Sequence, residues 1–189
     1  MAAVAARTRL TVVAAAVAVV AVAALALWWW NPFSDDYPDV PDCAAVAAKL
    51  PSAAGGRWAV SKQYSARQAS RSSSSCELAF TSADQRTSGT VTVLLIGHAD
   101  TGDLRTEVAG APCDGAATPS GDLSRYLAFR ACTEVIGDTI RATVVAAENP
   151  RWVRTVVTTT DPPGDGDATV QATQKLARTI ADQALSISA

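Results

Sequence analysis

Hydrophobic and polar positions divide the chain into one long apolar run and a following region of short, alternating patterns. The run, Leu10 to Trp30, contains 21 residues without a charge. Beyond it, period-two alternation predicts strands and 3.6-residue spacing predicts helices. The predicted order is a short helix, about six strands and a long helix, which is typical of the α+β class with one antiparallel sheet.

The apolar run is long enough to cross a membrane. A helix from Leu10 to Trp30 would be about 31 Å long, close to the roughly 30 Å hydrocarbon core of a bilayer. Arg7 and Arg9 precede it, so the positive-inside rule predicts that residues 1–9 are cytoplasmic. We therefore expect a signal anchor at residues 10–30, with the lipid bilayer as its partner. Three rings are suited to the outer headgroup zone, namely those of Trp28, Trp29 and Trp30.

A cleaved signal peptide is the alternative interpretation, and it would make the protein a secreted one. Ala24-Leu25-Ala26 has the small-x-small pattern of a cleavage site. The apolar run continues past that site through Leu27 and the tryptophans, which favours an anchor. Residues 31–41 contain three prolines and three aspartates, so they are predicted to form a stalk before an extracytoplasmic domain at residues 42–189.

The first part of this domain has one helical pattern and three strand patterns. Asp42 is placed to cap a helix that runs to about Leu50 and ends at Pro51. The segment Ser65 to Ser75 carries six serines and predicts a solvated connection, with a flexible recognition loop as the alternative. The third strand is apolar on both faces, so we expect it to be central. The predicted strands are Arg57 to Tyr64, Cys76 to Thr81 and Thr90 to Ile96.

The clearest pattern is a hairpin with Gly137-Asp138 as its two-residue turn. This turn places Ile136 opposite Thr139, so paired residue numbers sum to 275. On the outer face Glu134 then meets Arg141, which is a favourable charge pair. The pairs predicted for the inner face are Val135 with Ile140, Ala131 with Val144 and Phe129 with Ala146.

The remaining segments are less regular. Gly97 to Gly121 is rich in Gly, Pro and Asp, with a short helix around Asp103 to Val108 as its one helical signal. Trp152 to Thr160 is dense in β-branched residues and predicts a further strand. The final helix is predicted from Ala168 to about Ser186. Its apolar face comprises Val170, Thr173, Leu176, Ala177, Ile180, Ala184 and Ile187.

Four cysteines follow the predicted anchor, and an even number in an oxidising compartment predicts disulfides rather than metal ligands or catalytic thiols. Three pairings are open to four cysteines. Side-chain direction favours Cys43 with Cys76, because both point inward, and Cys113 with Cys132 on the outer face. The second bridge would hold the Gly97 to Gly121 loop over the outside of the sheet.

The charge balance excludes partners that need clustered positive charge. The chain has 16 basic and 18 acidic residues, and all of the acids but only 14 of the bases follow the apolar run. The exported part therefore carries 14 minus 18, or −4, which argues against nucleic acid.

Candidate chemistry is sparse. The one histidine, His98, is followed by Asp100 and Asp103, the only cluster that resembles a metal or acid-base site. Asp161, Asp165 and Asp167 could attract calcium, but the glutamate of the EF-hand pattern is missing. Asp167 as an N-cap explains its position more simply. The residues therefore predict no cofactor, no resident metal and no catalytic group.

The exported part resembles small actinobacterial exported lipoproteins and membrane-anchored proteins of unknown function. The resemblance covers about residues 42–187. It rests on a cysteine that begins a short helix (Cys43 to Leu50), a second that opens a strand (Cys76-Glu77-Leu78-Ala79-Phe80) and a closing helix (Ala168 to Ser186). It implies an antiparallel sheet flanked by helices and a binding or accessory role, and it transfers no catalytic residues.

Three functions follow as hypotheses. The leading one is a membrane-tethered extracytoplasmic domain that binds a protein, an envelope component or a small ligand without catalysis. The second is an envelope hydrolase or metal-dependent enzyme that uses His98 with Asp100 or Asp103. The third is a structural subunit of a membrane complex, recognised through Leu10 to Trp30.

Overall fold

The structure is a computed structural model, and it describes residues 39–68, 71–98, 103–118, 123–160 and 166–187. All of these residues belong to one compact unit, Tyr37–Ala189. The predicted anchor Leu10 to Trp30 and most of the predicted stalk lie outside the described residues. Within the described ranges, no helix combines the length and the apolar character that crossing a bilayer requires.

The described chain forms an α+β fold, as the sequence predicts, with three helices and one antiparallel sheet of seven strands. The helices are α1 (Cys43–Ala54), α2 (Leu104–Gly110) and α3 (Gly166–Ser186). The strands are β1 (Arg57–Gln68), β2 (Arg71–Thr81), β3 (Ser88–His98), β4 (Ala116–Ala117), β5 (Ala128–Ile136), β6 (Thr139–Glu148) and β7 (Arg151–Thr160). The seventh strand beyond the six predicted is the two-residue β4.

The strand order is β1-β2-β3-β7-β6-β5-β4. Two meanders, β1 to β3 and β4 to β7, therefore join where β3 pairs with β7. The predicted position of β3 inside the sheet is confirmed, because it has a partner strand on each side. We call the side of the sheet covered by α1 and α3 the inner face, and the side covered by α2 the outer face.

The hairpin of β5 and β6 has the register that its turn predicts. Ile136 pairs with Thr139, and Glu134 pairs with Arg141, whose Nη1 lies 3.2 Å from the glutamate Oε2. The predicted burial is wrong at one residue. Val135 pairs with Ile140 as expected, but its side chain is 58% exposed, since it lies at the hairpin tip next to the turn.

Helix α1 begins as predicted but ends later. The Asp42 carboxylate accepts a hydrogen bond from the Ala45 backbone N–H at 2.7 Å, which is an N-cap. The helix does not end at Pro51, which lies inside its last turn. The Pro51 carbonyl accepts from the Gly55 N–H at 3.1 Å, so one more turn is completed before Gly55, with a φ of 70°, ends the helix.

The serine-rich segment is not the solvated connection that its composition predicts. Strand β1 continues to Gln68 and β2 starts at Arg71, so nearly all of Ser65 to Ser75 is paired in the sheet. Ser72 and Ser74 are 3% and 1% exposed on the inner face, in the same alternation as Cys76 and Leu78. These serines are therefore buried by the pairing of β2 with its neighbouring strands and by the adjacent Cys43–Cys76 disulfide, although their own side chains are polar.

The main core lies on the inner face, between the sheet and two helices. Leu50 of α1, Leu78 of β2 and Ile180 of α3 are fully buried in it. The predicted face of α3 is largely correct, since Thr173, Ala177, Ile180 and Ala184 are buried. The helix begins at Gly166, so Asp167 lies in its first turn and is not the predicted N-cap.

A second, smaller core covers the outer face. Helix α2, close to the predicted Asp103 to Val108, places Leu104 and Val108 against Trp152 of β7. Both predicted disulfides are present. Cys43 joins Cys76 between α1 and β2, and Cys113 joins Cys132 beside the segment that follows α2, with Cα separations of 5.4 and 5.6 Å. The second bridge therefore holds that segment over the outer face, as the sequence predicts.

Candidate functional site

A groove lies on the inner face, between α3 and β5. Helix α3 packs on β6 and β7, so its backbone stands away from β5. The gap is an open cavity of about 280 Å³. We call it the α3–β5 groove, and it is bounded by α3 on one side and by Thr118, just after β4, on the other.

The floor of the groove is apolar and made partly of small side chains. Ala131 of β5 and Ala142 and Val144 of β6 form it, with Phe129 towards one end. Because alanine ends at Cβ, the floor does not fill the space beneath the helix. The room in the groove therefore comes from small residues on the sheet below a helix that is held back.

Long polar side chains span the distance from α3 to β5. At one end, the Gln174 amide Nε2 donates to the Thr133 hydroxyl oxygen at 3.0 Å. The Thr133 and Thr118 hydroxyls are also hydrogen-bonded at 3.0 Å. This chain of three polar side chains joins α3, β5 and the β4 segment, and it fixes the width of the groove at that end.

The other end is closed by aromatic and charged groups. The Arg178 guanidinium lies 5.6 Å from the centre of the Phe129 ring, which is a cation–π contact. Phe129 in turn lies 5.1 Å from the ring of Tyr126, whose hydroxyl donates to the Asp182 carboxylate. Arg125 approaches the same carboxylate at 3.6 Å. The Arg178 guanidinium is thus part of an ordered cluster at the end of the groove.

The hydroxyl of Tyr126 is held in its neutral form. Partial burial, together with the hydrogen bond to the Asp182 carboxylate, raises the pKa of Tyr126 to about 12. A phenolate next to that carboxylate would be both poorly solvated and repelled. Tyr126 therefore remains a hydrogen-bond donor throughout the physiological pH range.

The electrostatic character of the groove is opposite to that of the whole chain. Its lining includes Lys175 and Arg178 and no carboxylate, while the chain has a formal net charge of −2. The carboxylate on the next turn of α3, Asp182, is engaged with Tyr126 and Arg125. The groove therefore combines an apolar floor with a cationic, amide-bearing rim.

Of the predicted cluster around His98, the structure describes His98 and Asp103. His98 ends β3 on the outer face, with its side chain 12% exposed. Asp103 is exposed just before α2 and makes no capping hydrogen bond, and Asp100 lies outside the described residues. The partner of His98 is instead Glu107 of α2, whose Oε1 lies 3.0 Å from Nε2. No sequence pattern indicates Glu107, because the contact depends on how α2 docks.

At the His98 site, the Glu107 carboxylate lies close to two basic side chains. Its Oε1 is 3.0 Å from His98 Nε2, although the angles do not give a directed hydrogen bond. Arg71 also approaches Glu107, at 3.7 Å. Among the described residues, no group of three or more His, Cys, Asp and Glu side chains is placed to hold a metal ion. Within the described ranges, the geometry therefore ties α2 to the ends of β2 and β3.

The other predicted site residues are placed as follows. The four cysteines form the two structural disulfides. Trp28, Trp29 and Trp30, together with Asp161 and Asp165, lie outside the described residues, and Asp167 is exposed at the start of α3. Sequence reasoning missed the α3–β5 groove, because Gln174, Lys175 and Arg178 lie on the flank of α3 that its apolar pattern leaves out.

Comparisons of the chain with known protein families, curated proteins and solved structures gave no match. The resemblance to small actinobacterial exported proteins therefore remains a prediction from residues 42–187. Among the described residues, the α3–β5 groove and the His98–Glu107 pair are two places where polar side chains from different elements come together.

Proposed function

We propose that this chain is a membrane-tethered, extracytoplasmic binding domain that acts through the α3–β5 groove rather than through catalysis. The observation that carries the proposal is the groove itself, an open cavity of about 280 Å³ with an apolar floor and a polar rim. Concave, mostly apolar surfaces with a few oriented polar groups are the usual form of small-ligand sites.

The proposed location draws on two kinds of support. Two disulfides and no free cysteine among the described residues fit an oxidising environment outside the cytoplasm. The tether itself is proposed from the sequence of Leu10 to Trp30, with Arg7 and Arg9 on its cytoplasmic side. A domain held near the membrane would then present its groove to molecules of the cell envelope.

Binding suits the groove better than catalysis does. Its side chains are amides, hydroxyls and cations, which recognise a ligand, and its lining has no histidine, carboxylate or thiol to transfer a proton or attack a bond. Cys132 borders the groove but is bonded to Cys113. The ordered Gln174–Thr133 bridge is a feature of a preformed site, which loses little entropy when a ligand binds.

Filling the groove tests the proposal. Ala131→Leu places a larger side chain on the floor, while Ala109→Leu makes the same change at an exposed position of α2 and serves as the matched control. The full-length proteins are recovered from the membranes of the native host, and bound molecules are identified by native mass spectrometry. We expect a specific molecule with the wild type and the control that is lost with Ala131→Leu. Equal recovery from all three, or none from any, would contradict a binding role for the groove.

An enzyme that uses His98 is the second candidate, and the contact with Glu107 favours it. A carboxylate that orients an imidazole is a recurring part of acid-base sites. His98→Ala should then abolish an envelope hydrolase activity while the melting temperature stays unchanged. The control is Asp138→Asn, at the exposed turn of the β5–β6 hairpin. A loss of stability without loss of activity would assign His98 to the packing of α2.

A further inference from the structure

We infer that the α3–β5 groove binds a small amphiphilic anion, with the anionic head between Lys175 and Arg178 and the apolar body on the floor beside Phe129. This inference rests on the proposed binding function and names the class of ligand. It follows from the charge, the donor geometry and the size of the groove.

The charge of the groove lining predicts the sign of the ligand's charge. The lining carries two cations and no carboxylate, within a chain whose net charge is −2. Lys175 is exposed, and none of the ion pairs among the described residues involves it. A carboxylate or phosphate on the ligand would be attracted to this rim, and an ammonium group would be repelled by two like charges.

Donor geometry gives the position of the anionic head. The Arg178 guanidinium lies over the Phe129 ring, 5.6 Å from its centre, and a guanidinium offers five N–H donors in a fixed plane. Lys175 directly follows Gln174 on α3, and the Gln174 amide is hydrogen-bonded to Thr133. A head group bound by Arg178 and Lys175 would therefore sit at the rim, where it keeps part of its hydration.

The apolar floor and the volume of the groove limit the size of the ligand's apolar body. Phe129, Ala131, Ala142 and Val144 offer hydrocarbon surface without a hydrogen-bonding side chain. The cavity of about 280 Å³ is at the small end of ligand sites, which start at roughly 300 Å³. One ring with a short chain, or one short alkyl chain, fits this space, whereas a lipid with two long chains does not.

Three probes with the same apolar body and different heads test the inference. They are 4-phenylbutyrate, 4-phenylbutanol and 4-phenylbutylamine, which carry an anionic, a neutral and a cationic head. Binding is measured by calorimetric titration of the full-length protein in lipid nanodiscs, with empty nanodiscs subtracted. We expect the acid to bind about fivefold or more tightly than the alcohol, and the amine to bind most weakly.

Two sets of variants locate the binding. Lys175→Gln with Arg178→Gln should remove the preference for the acid and leave the alcohol unchanged. Lys49→Gln with Arg105→Gln removes the same two charges at exposed positions of α1 and α2, and it should change neither. Ala131→Leu should weaken both the acid and the alcohol, which shows that the body lies on the floor. Circular dichroism checks that each variant is folded.

The outcomes separate this inference from the proposed function. Three results would overturn the inference of an anionic ligand. They are equal affinity for the acid and the alcohol, tighter binding of the amine, and an unchanged acid affinity in the Lys175 and Arg178 variant. If none of the probes binds, the inference also fails. In each of those cases, loss of a native molecule in the Ala131→Leu protein would still support a binding groove. If the native molecule is a neutral peptide, that result would support a binding role for the groove and overturn the inference of an anionic ligand.

Discussion

Removal of the Cys43–Cys76 disulfide should destabilise the domain more than removal of Cys113–Cys132. The perturbation is a pair of double variants, each with both cysteines of one bridge replaced by alanine, so that no free thiol remains. The bridged residues are 33 and 19 positions apart, so the loop-closure entropy of the unfolded chain predicts losses of about 3.7 and about 3.2 kcal/mol.

Packing increases this difference. Cys43 and Cys76 are 1% and 0% exposed between α1 and β2, whereas in the second bridge Cys132 is buried at 4% and Cys113 is partly exposed. At roughly 0.5 kcal/mol for each buried sulfur atom, the first bridge should lose about 1 kcal/mol in addition and the second about 0.5 kcal/mol. The expected totals are therefore about 4.7 kcal/mol for the first bridge and about 3.7 kcal/mol for the second.

Urea unfolding of residues 36–189, followed by circular dichroism, measures both losses. The wild-type fragment in dithiothreitol is the control, since reduction should remove both cross-links without changing the sequence. A larger loss for the Cys113–Cys132 variant would refute the reasoning, because neither loop length nor burial favours that bridge. A loss below about 1 kcal/mol for both would show that the unfolded chain is already compact enough to make the cross-links redundant.

Three further predictions concern single residues. Since Tyr126 has a pKa of about 12 in the folded state and about 10 when unfolded, its contribution to stability is fully present below pH 10 and is lost as the pH rises to 12. This loss should disappear from the pH dependence of urea unfolding in Tyr126→Phe. Leu50→Ala should destabilise the domain by about 2–5 kcal/mol in the same assay, because Leu50 is fully buried, whereas Lys49→Ala at the exposed neighbouring position should cost less than about 1 kcal/mol. Gly115→Ala should detach β4, because Gly115 has a φ of 92° and an added Cβ would lie 2.2 Å from the Thr133 carbonyl oxygen; faster amide exchange at Thr118 would report it, and unchanged exchange would count against the expected clash.

The features that the sequence predicted well depend on local rules. Gly137-Asp138 sets the hairpin register through the geometry of a two-residue turn, and every residue of β5 then has a defined partner. The disulfides followed from side-chain direction, since a residue's place in a helix or strand determines the face on which it lies. Such rules need no knowledge of how distant elements pack.

The features that the sequence did not predict depend on packing between distant elements. Ser72 and Ser74 become strand residues because β3 and the Cys43–Cys76 bridge surround them, which their own polarity does not indicate. The α3–β5 groove exists because α3 settles on β6 and β7 instead of β5, and because position 131 holds alanine. The His98–Glu107 contact likewise required the docking of α2. None of these three leaves a periodic signal along the chain.

The placement of the two disulfides has a consequence for biogenesis. Each bridge joins cysteines that are consecutive in the chain, and neither crosses the junction between β3 and β7. A domain that is translocated from its membrane-proximal end onward would expose Cys43 and Cys76 before the other two thiols arrive. When the first disulfide forms, Cys43 and Cys76 would be the only thiols outside the cytoplasm. When the second forms, Cys113 and Cys132 would be the only thiols still reduced. The order of translocation by itself would select the native pairing from the three that are possible, without a need for isomerisation.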